Sequence, residues 1–187
     1  MYNLIATNLY LFIMAVVLAL VEIQIEGPDG WAKSLPTWRP GRRGLFVRLY
    51  ERLLGGKEMT GYHLAMFAFI ALVFHLPFFF GEALTLTAWL TTLSLFFLFV
   101  ILWDFLWFVL NPHYPLKRFK KEHIWWHKKW LGRLPVDYLG GIVISALLAV
   151  ASTGLSWWLA NVALWAVFLL LTILFTFVVL DIDHRGK

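Results

Sequence analysis

His123 and His127 stand four residues apart in the stretch FKKEHIWWHKKWLGRLPVDY, Phe119 to Tyr138. On a helix that spacing puts both imidazoles on one face, where two ring nitrogens can grip one metal ion. Glu22 and Glu26 repeat the spacing at the end of an apolar run, so two carboxylates share a face if the helix persists that far. Asp104 lies within another apolar run, about two turns before Asn111 and Pro112. A carboxylate at that depth in a membrane costs about 2.5–3.5 kcal/mol on insertion scales, so it must face a cation, a hydrogen-bond donor or water. His63, His113 and Asp137 stand at the ends of other apolar runs. The sequence therefore nominates Glu22, Glu26, Asp104, His113, His123 and His127 as metal ligands. It nominates Asp104, His63 and Asp137 as acid–base groups. Mixed nitrogen and oxygen donors suit a divalent metal such as iron, zinc or manganese. The opening stretch has a second reading as a surface anchor, with Trp125, Trp126 and Trp130 among lipid headgroups and the lysines on phosphate.

The elements that must position these groups are membrane helices. Of 187 residues, 61% are apolar and only 14% charged, whereas a soluble domain carries about 25% charged residues. Cysteine is absent, which excludes thiol catalysis, disulfides and thiolate metal ligands. The apolar runs predict an all-α, five-helix transmembrane bundle forming a single domain over 1–187, with spans near 3–26, 61–81, 84–111, 137–154 and 156–181. The first run opens with MYNLIATN, which lacks the basic region of a cleavable signal, and is read as a retained helix. Tyr138 to Leu180 carry no charge over 43 residues. As one helix that run would be roughly 65 Å long, twice the hydrocarbon thickness, so it should fold as a hairpin. The break is placed at Ser152 to Trp158, where Gly, Ser and Trp favour a turn at an interface.

All 16 basic residues fall in the loops 27–60 and 112–136 or after the last span. With five spans these segments lie on one side, which the positive-inside rule makes cytoplasmic, with the N-terminus outside and the C-terminus inside. The expected location is the plasma (inner) membrane. The basic loops also suit anionic headgroups, and no nucleic-acid motif accompanies them. In this arrangement every span delivers acids or histidines to the cytoplasmic leaflet: Glu22 and Glu26, His63, Asp104, Asp137, and finally Asp181, Asp183 and His184. His75 stands apart, deeper in the second span. No second histidine at its depth is offered by another span, which argues against a bis-histidine haem.

Two families share short features with the chain. The HxxxH over Glu122 to Lys128 resembles one box of the membrane di-iron desaturases and hydroxylases, which carry more histidines in several boxes. NPHYPL, Asn111 to Leu116, resembles the HPxYxG-like cofactor turn of small five-span membrane methyltransferases, without its leading histidine or its glycine. Neither resemblance transfers a residue role. Phosphate-binding glycine loops, a serine nucleophile elbow and HExxH are absent from the sequence. A transporter or channel would place polar groups near the bilayer centre, whereas here they gather at one edge. The function expected is a small metal-dependent membrane enzyme acting on a lipid or isoprenoid substrate in a polar cavity of the cytoplasmic leaflet. The rival is a non-enzymatic subunit of a larger membrane complex. Membrane lipids and a membrane-protein partner or second copy are the partners expected.

Overall fold

A computed structural model describes residues 3–41, 44–114, 116–180 and 182. Six α-helices follow in chain order: α1 (Leu4–Glu26), α2 (Leu45–Leu53), α3 (Gly61–Phe79), α4 (Leu86–Leu110), α5 (Val136–Val150) and α6 (Leu155–Val178). Helices α1, α3, α4 and α6 are long and apolar enough to cross a membrane. The chain is thus a helical membrane protein. Helix α5 is equally apolar but has 15 residues, roughly 22 Å of rise.

Local chemistry sets the helix ends. Asn3, Thr60 and Thr85 cap α1, α3 and α4 through side-chain oxygens that accept backbone N–H groups of the first turn. Gly27, at φ 61°, ends α1 in a conformation that other residues adopt at a cost. Helix α4 is the axis of the bundle. Over half of its apolar window (56%) is buried in protein, against 17% for α3 and for α6, whose remaining surface is left for lipid. Helices α1, α3, α5 and α6 all pack on it.

Lipid supplies no hydrophobic drive between helices, so close approach and polar bonds must hold them. Gly141 of α5 lies so near Ile101 of α4 that an added Cβ would come within 2.7 Å of it. Ser94 and Ser145 exchange hydroxyl-to-carbonyl bonds of 2.8 Å each way between α4 and α5, and the Trp158 indole of α6 donates to the Ser145 hydroxyl at 2.9 Å. Asn8 of α1 donates to Asn161 of α6 at 2.8 Å, both fully buried.

At the opposite end of the bundle the loops fold inward. A two-residue hairpin pairs Trp130–Leu131 with Leu134–Pro135 around Gly132. The stretch ahead of it, which the HxxxH spacing would have made a helix, is a series of turns. Trp126 explains the difference. It is buried, stacks 5.8 Å from Phe108 and meets Trp107 edge-on. An extended helix would keep this indole on the surface. Trp126 also packs where a side chain on Gly30 would stand, so the two loops close on one another.

Candidate functional site

Two polar clusters meet at the loop end of the bundle, and both touch the Trp31 ring. The first joins α1 to α3. Glu22 and Glu26 lie in the last turns of α1, and His63 in the first turn of α3. The His63 Nε2 is 3.6 Å from Glu22 Oε1 and 3.3 Å from Glu26 Oε1. All three residues are buried, and their ligand atoms lie within 4.8 Å of one another. The Thr60 hydroxyl, also fully buried, is 2.8 Å from His63 Nδ1. When Nδ1–H donates to that oxygen, the Nε2 lone pair faces the two carboxylates. This is how an outer hydrogen bond prepares a histidine to bind a metal.

Trp31 stacks on His63 with ring centres 3.7 Å apart. Both Trp31 and Ala32 have positive φ, 48° and 51°, a conformation costing about 1–3 kcal/mol per residue outside glycine. Three contacts hold it. The Trp31 indole donates to the Glu58 carbonyl at 2.8 Å, the Ala32 amide donates to Glu26, and Arg39 donates to the Ala32 carbonyl at 2.5 Å. The strained turn thereby fixes both the Glu26 carboxylate and the ring that covers His63.

The second cluster is a closed ring of four charged or basic groups. Lys57 Nζ is 3.2 Å from Asp104 and 3.0 Å from Asp137. His127 touches the same two carboxylates, with Nδ1 3.1 Å from Asp137 and Nε2 3.3 Å from Asp104. The Nδ1 contact is a hydrogen bond, whereas the Nε2 contact is within ion-pair reach but poorly aligned. Tyr138 completes the set by donating its hydroxyl to Asp104. Burial pulls the Lys57 pKa down, but the charges of Asp104 and Asp137 outweigh it and hold the ammonium above its ordinary value of 10.5. This ring is what makes a carboxylate inside α4 tolerable.

Two spaces adjoin these clusters. A small void of about 10 Å³ is bordered by Glu22, Glu26 and Asp104, with Trp31, Trp107, Phe108 and Trp126 around it. That is the size of one water or ion. Trp107 is buried, and its indole N–H has no acceptor among the described residues. A cavity of about 510 Å³ opens on the other side. Glu22, Lys57, His63, Asp104 and Asp137 line its polar end. Leu64 and Phe67 of α3, Phe96, Phe97, Val100 and Ile101 of α4, and Ile144 of α5 are among its apolar walls.

Of the residues nominated from the sequence, the structure brings together Glu22, Glu26 and His63, and separately Asp104, His127 and Asp137. His113 and His123 are exposed and join neither cluster. Expecting both histidines of HxxxH to face inward relied on helical spacing, and the turns turn only His127 in. The Tyr114 hydroxyl instead donates to the His123 carbonyl, using the residue's backbone. Trp126 is core, not a headgroup anchor. Asp181, Asp183 and His184 lie outside the described residues. His75 accepts from the Trp89 indole of α4 at 3.1 Å and lies at 2.7 Å from the Ala71 carbonyl, as a helix-to-helix contact.

Sequence reasoning missed Lys57, Trp31, Thr60 and Trp107. Lys57 was counted with the topological charges. Its place between two glycines, Gly55 and Gly56, and the helix cap Thr60 was the available signal. A comparison with protein-family models, curated proteins and solved structures found no match.

Proposed function

We propose that the chain is a small integral membrane enzyme, metal-dependent, that acts on a lipid or isoprenoid substrate in the leaflet of its basic loops, the cytoplasmic leaflet. The observation that carries this reading is the cavity of about 510 Å³ with apolar walls and a polar end at Glu22, Lys57, His63, Asp104 and Asp137. Ligand sites have this construction: a largely apolar cleft with a few convergent polar groups. Glu22, Glu26 and His63 are the ligands assigned to a divalent ion, iron, zinc or manganese by donor type. The void bordered by Glu22, Glu26, Asp104 and Trp107 has room for one water that a bound metal would activate, with the unpartnered Trp107 indole N–H and the Asp104 carboxylate at its border. A water placed between a metal and a carboxylate is the arrangement of metal-assisted hydrolysis. Asp104 is the assigned base, with His127 as proton partner. Lys57 and Asp137 are positioning residues that fix the Asp104 carboxylate.

Metal analysis of the purified, metal-reconstituted chain tests this. A single divalent ion per chain is expected, lost in Glu26→Gln and His63→Ala and kept in His123→Ala. A chain that takes up no metal sinks the reading. The second reading, an accessory subunit of a membrane complex, would then lead. It is favoured by one observation: Lys57, Asp104, Asp137 and His127 satisfy one another as structural groups do.

A further inference from the structure

The lining of the large cavity extends beyond its polar cluster and its apolar walls. Tyr50, Arg52 and Lys129 also line it, with Leu53, Leu54 and Gly55. Arg52 and Lys129 are exposed and have no ion-pair partner among the described residues. The Tyr50 hydroxyl is buried and has no hydrogen-bond partner there either. Two cations thus line the cavity without an ion-pair partner among the described residues. Tyr50 and Arg52 belong to α2, whose Leu45, Phe46, Leu49 and Leu53 are 46–75% exposed. An amphipathic helix with an uncovered apolar face and basic residues lies in the headgroup layer, with that face toward acyl chains. The part of the cavity lined by α2 therefore lies at headgroup depth.

The cavity has room for one chain. A volume of about 510 Å³ falls in the range of roughly 300–1,000 Å³ that encloses a single drug-sized guest, too small for both chains of a diacyl lipid. Gly140 of α5 lines the cavity, and an added Cβ there would meet no atom within 4 Å. The wall is therefore open where a side chain would project.

We infer that the cavity takes a single-chain lipid with a phosphate headgroup, its hydrocarbon along Phe67, Phe97, Ile101 and Gly140 and its phosphate on Arg52 and Lys129. A phosphate monoester carries about −1.5 to −2 charge and several acceptor oxygens, which matches two cations better than a singly charged carboxylate does. The inference rests on reading the cavity as the substrate site, and it adds the class of substrate.

The test is equilibrium binding of radiolabelled dodecyl phosphate to the full chain in phosphatidylcholine nanodiscs, with a chelator present so that neither metal nor turnover enters. Saturable binding is expected, with dodecylphosphocholine and dodecanoate each at least about tenfold weaker. Inorganic phosphate in large excess should not compete, which separates a lipid headgroup from free phosphate. The double variant Arg52→Gln/Lys129→Gln, on exposed side chains, should weaken dodecyl phosphate about tenfold or more and leave dodecylphosphocholine unchanged. Gly140→Phe should abolish binding of the alkyl chain, with Gly140→Ala as the folded control and Gly140→Leu as the milder plug. Equal affinity for the three headgroups overturns the inference, as does displacement by inorganic phosphate or full binding in the double variant. Such a failure leaves the metal content at Glu22, Glu26 and His63 untouched. Failure of the metal reading, conversely, leaves this binding intact.

Discussion

The imidazole Nε2 of His127 stands 3.3 Å from the Asp104 carboxylate, so a loop residue closes directly on a charge held inside a membrane helix. Loop and helix are thereby one unit. Lys57, from the other loop, touches Asp104 and Asp137 together, and Tyr138 donates to Asp104 from α5. Three other segments converge on one carboxylate of α4.

Asp104→Asn preserves shape and removes the charge. On the proposed role as base, activity toward the substrate should fall by about 10²–10⁴-fold, while the detergent-solubilised fold survives. Asp104→Leu removes one of the two carboxylates that Lys57 and His127 share and strands the Tyr138 hydroxyl. It should cost about 3–5 kcal/mol, read as a lowered melting temperature. An Asn variant with full activity removes Asp104 from the chemistry.

Lys57→Met leaves two carboxylates facing each other without their ammonium, and a comparable destabilisation of about 3–5 kcal/mol is expected. The pH dependence follows from the raised Lys57 pKa. Stabilisation from this pair is complete below the unfolded value of 10.5 and is lost as pH rises through the higher folded value. Alkaline titration should therefore destabilise the wild type above about 10.5 more steeply than Lys57→Met. Parallel alkaline melting curves would contradict this.

Thr60→Val removes the oxygen that fixes His63 Nδ1 and caps α3, with little change of shape. Metal affinity should weaken about 10–100-fold, measured by competition with a chromophoric chelator. Loss of the cap should also cost about 1 kcal/mol of stability. Thr60→Ser should restore both, and a Val variant with unchanged affinity would show that the hydroxyl does not tune His63.

Reporter fusions at Gly41 and Gly132 should both report the cytoplasm, and one at Gly154 the opposite side. These positions follow from α5 and α6 forming a hairpin and from the basic loops sharing one face. Opposite results at Gly41 and Gly132 would break the five-span topology. They would also remove the physical reason for placing the site at the cytoplasmic leaflet.

Composition and periodic absence of charge determined the membrane helices, because no water-soluble core accounts for apolar runs of this length. The cost of a charge in lipid likewise marked Asp104, and the turn of Gly27 and Pro28 placed Glu22 and Glu26 at a helix end. These are local consequences, legible residue by residue. Which partners those groups meet was not local. HxxxH spacing implied that His123 and His127 act together, yet Trp126 packing against Phe108 bends the stretch into turns and delivers His127 alone. Lys57 looked like one topological charge among sixteen, until the loop carried it between Asp104 and Asp137. His63 and the Glu22/Glu26 pair lie about forty residues apart in the chain, and only the packing of α1 and α3 around Trp31 brings them within ligand distance. A buried charge announces its need for a partner through its own energetics, but the partner is chosen by how distant segments pack, and that is a property of the tertiary fold.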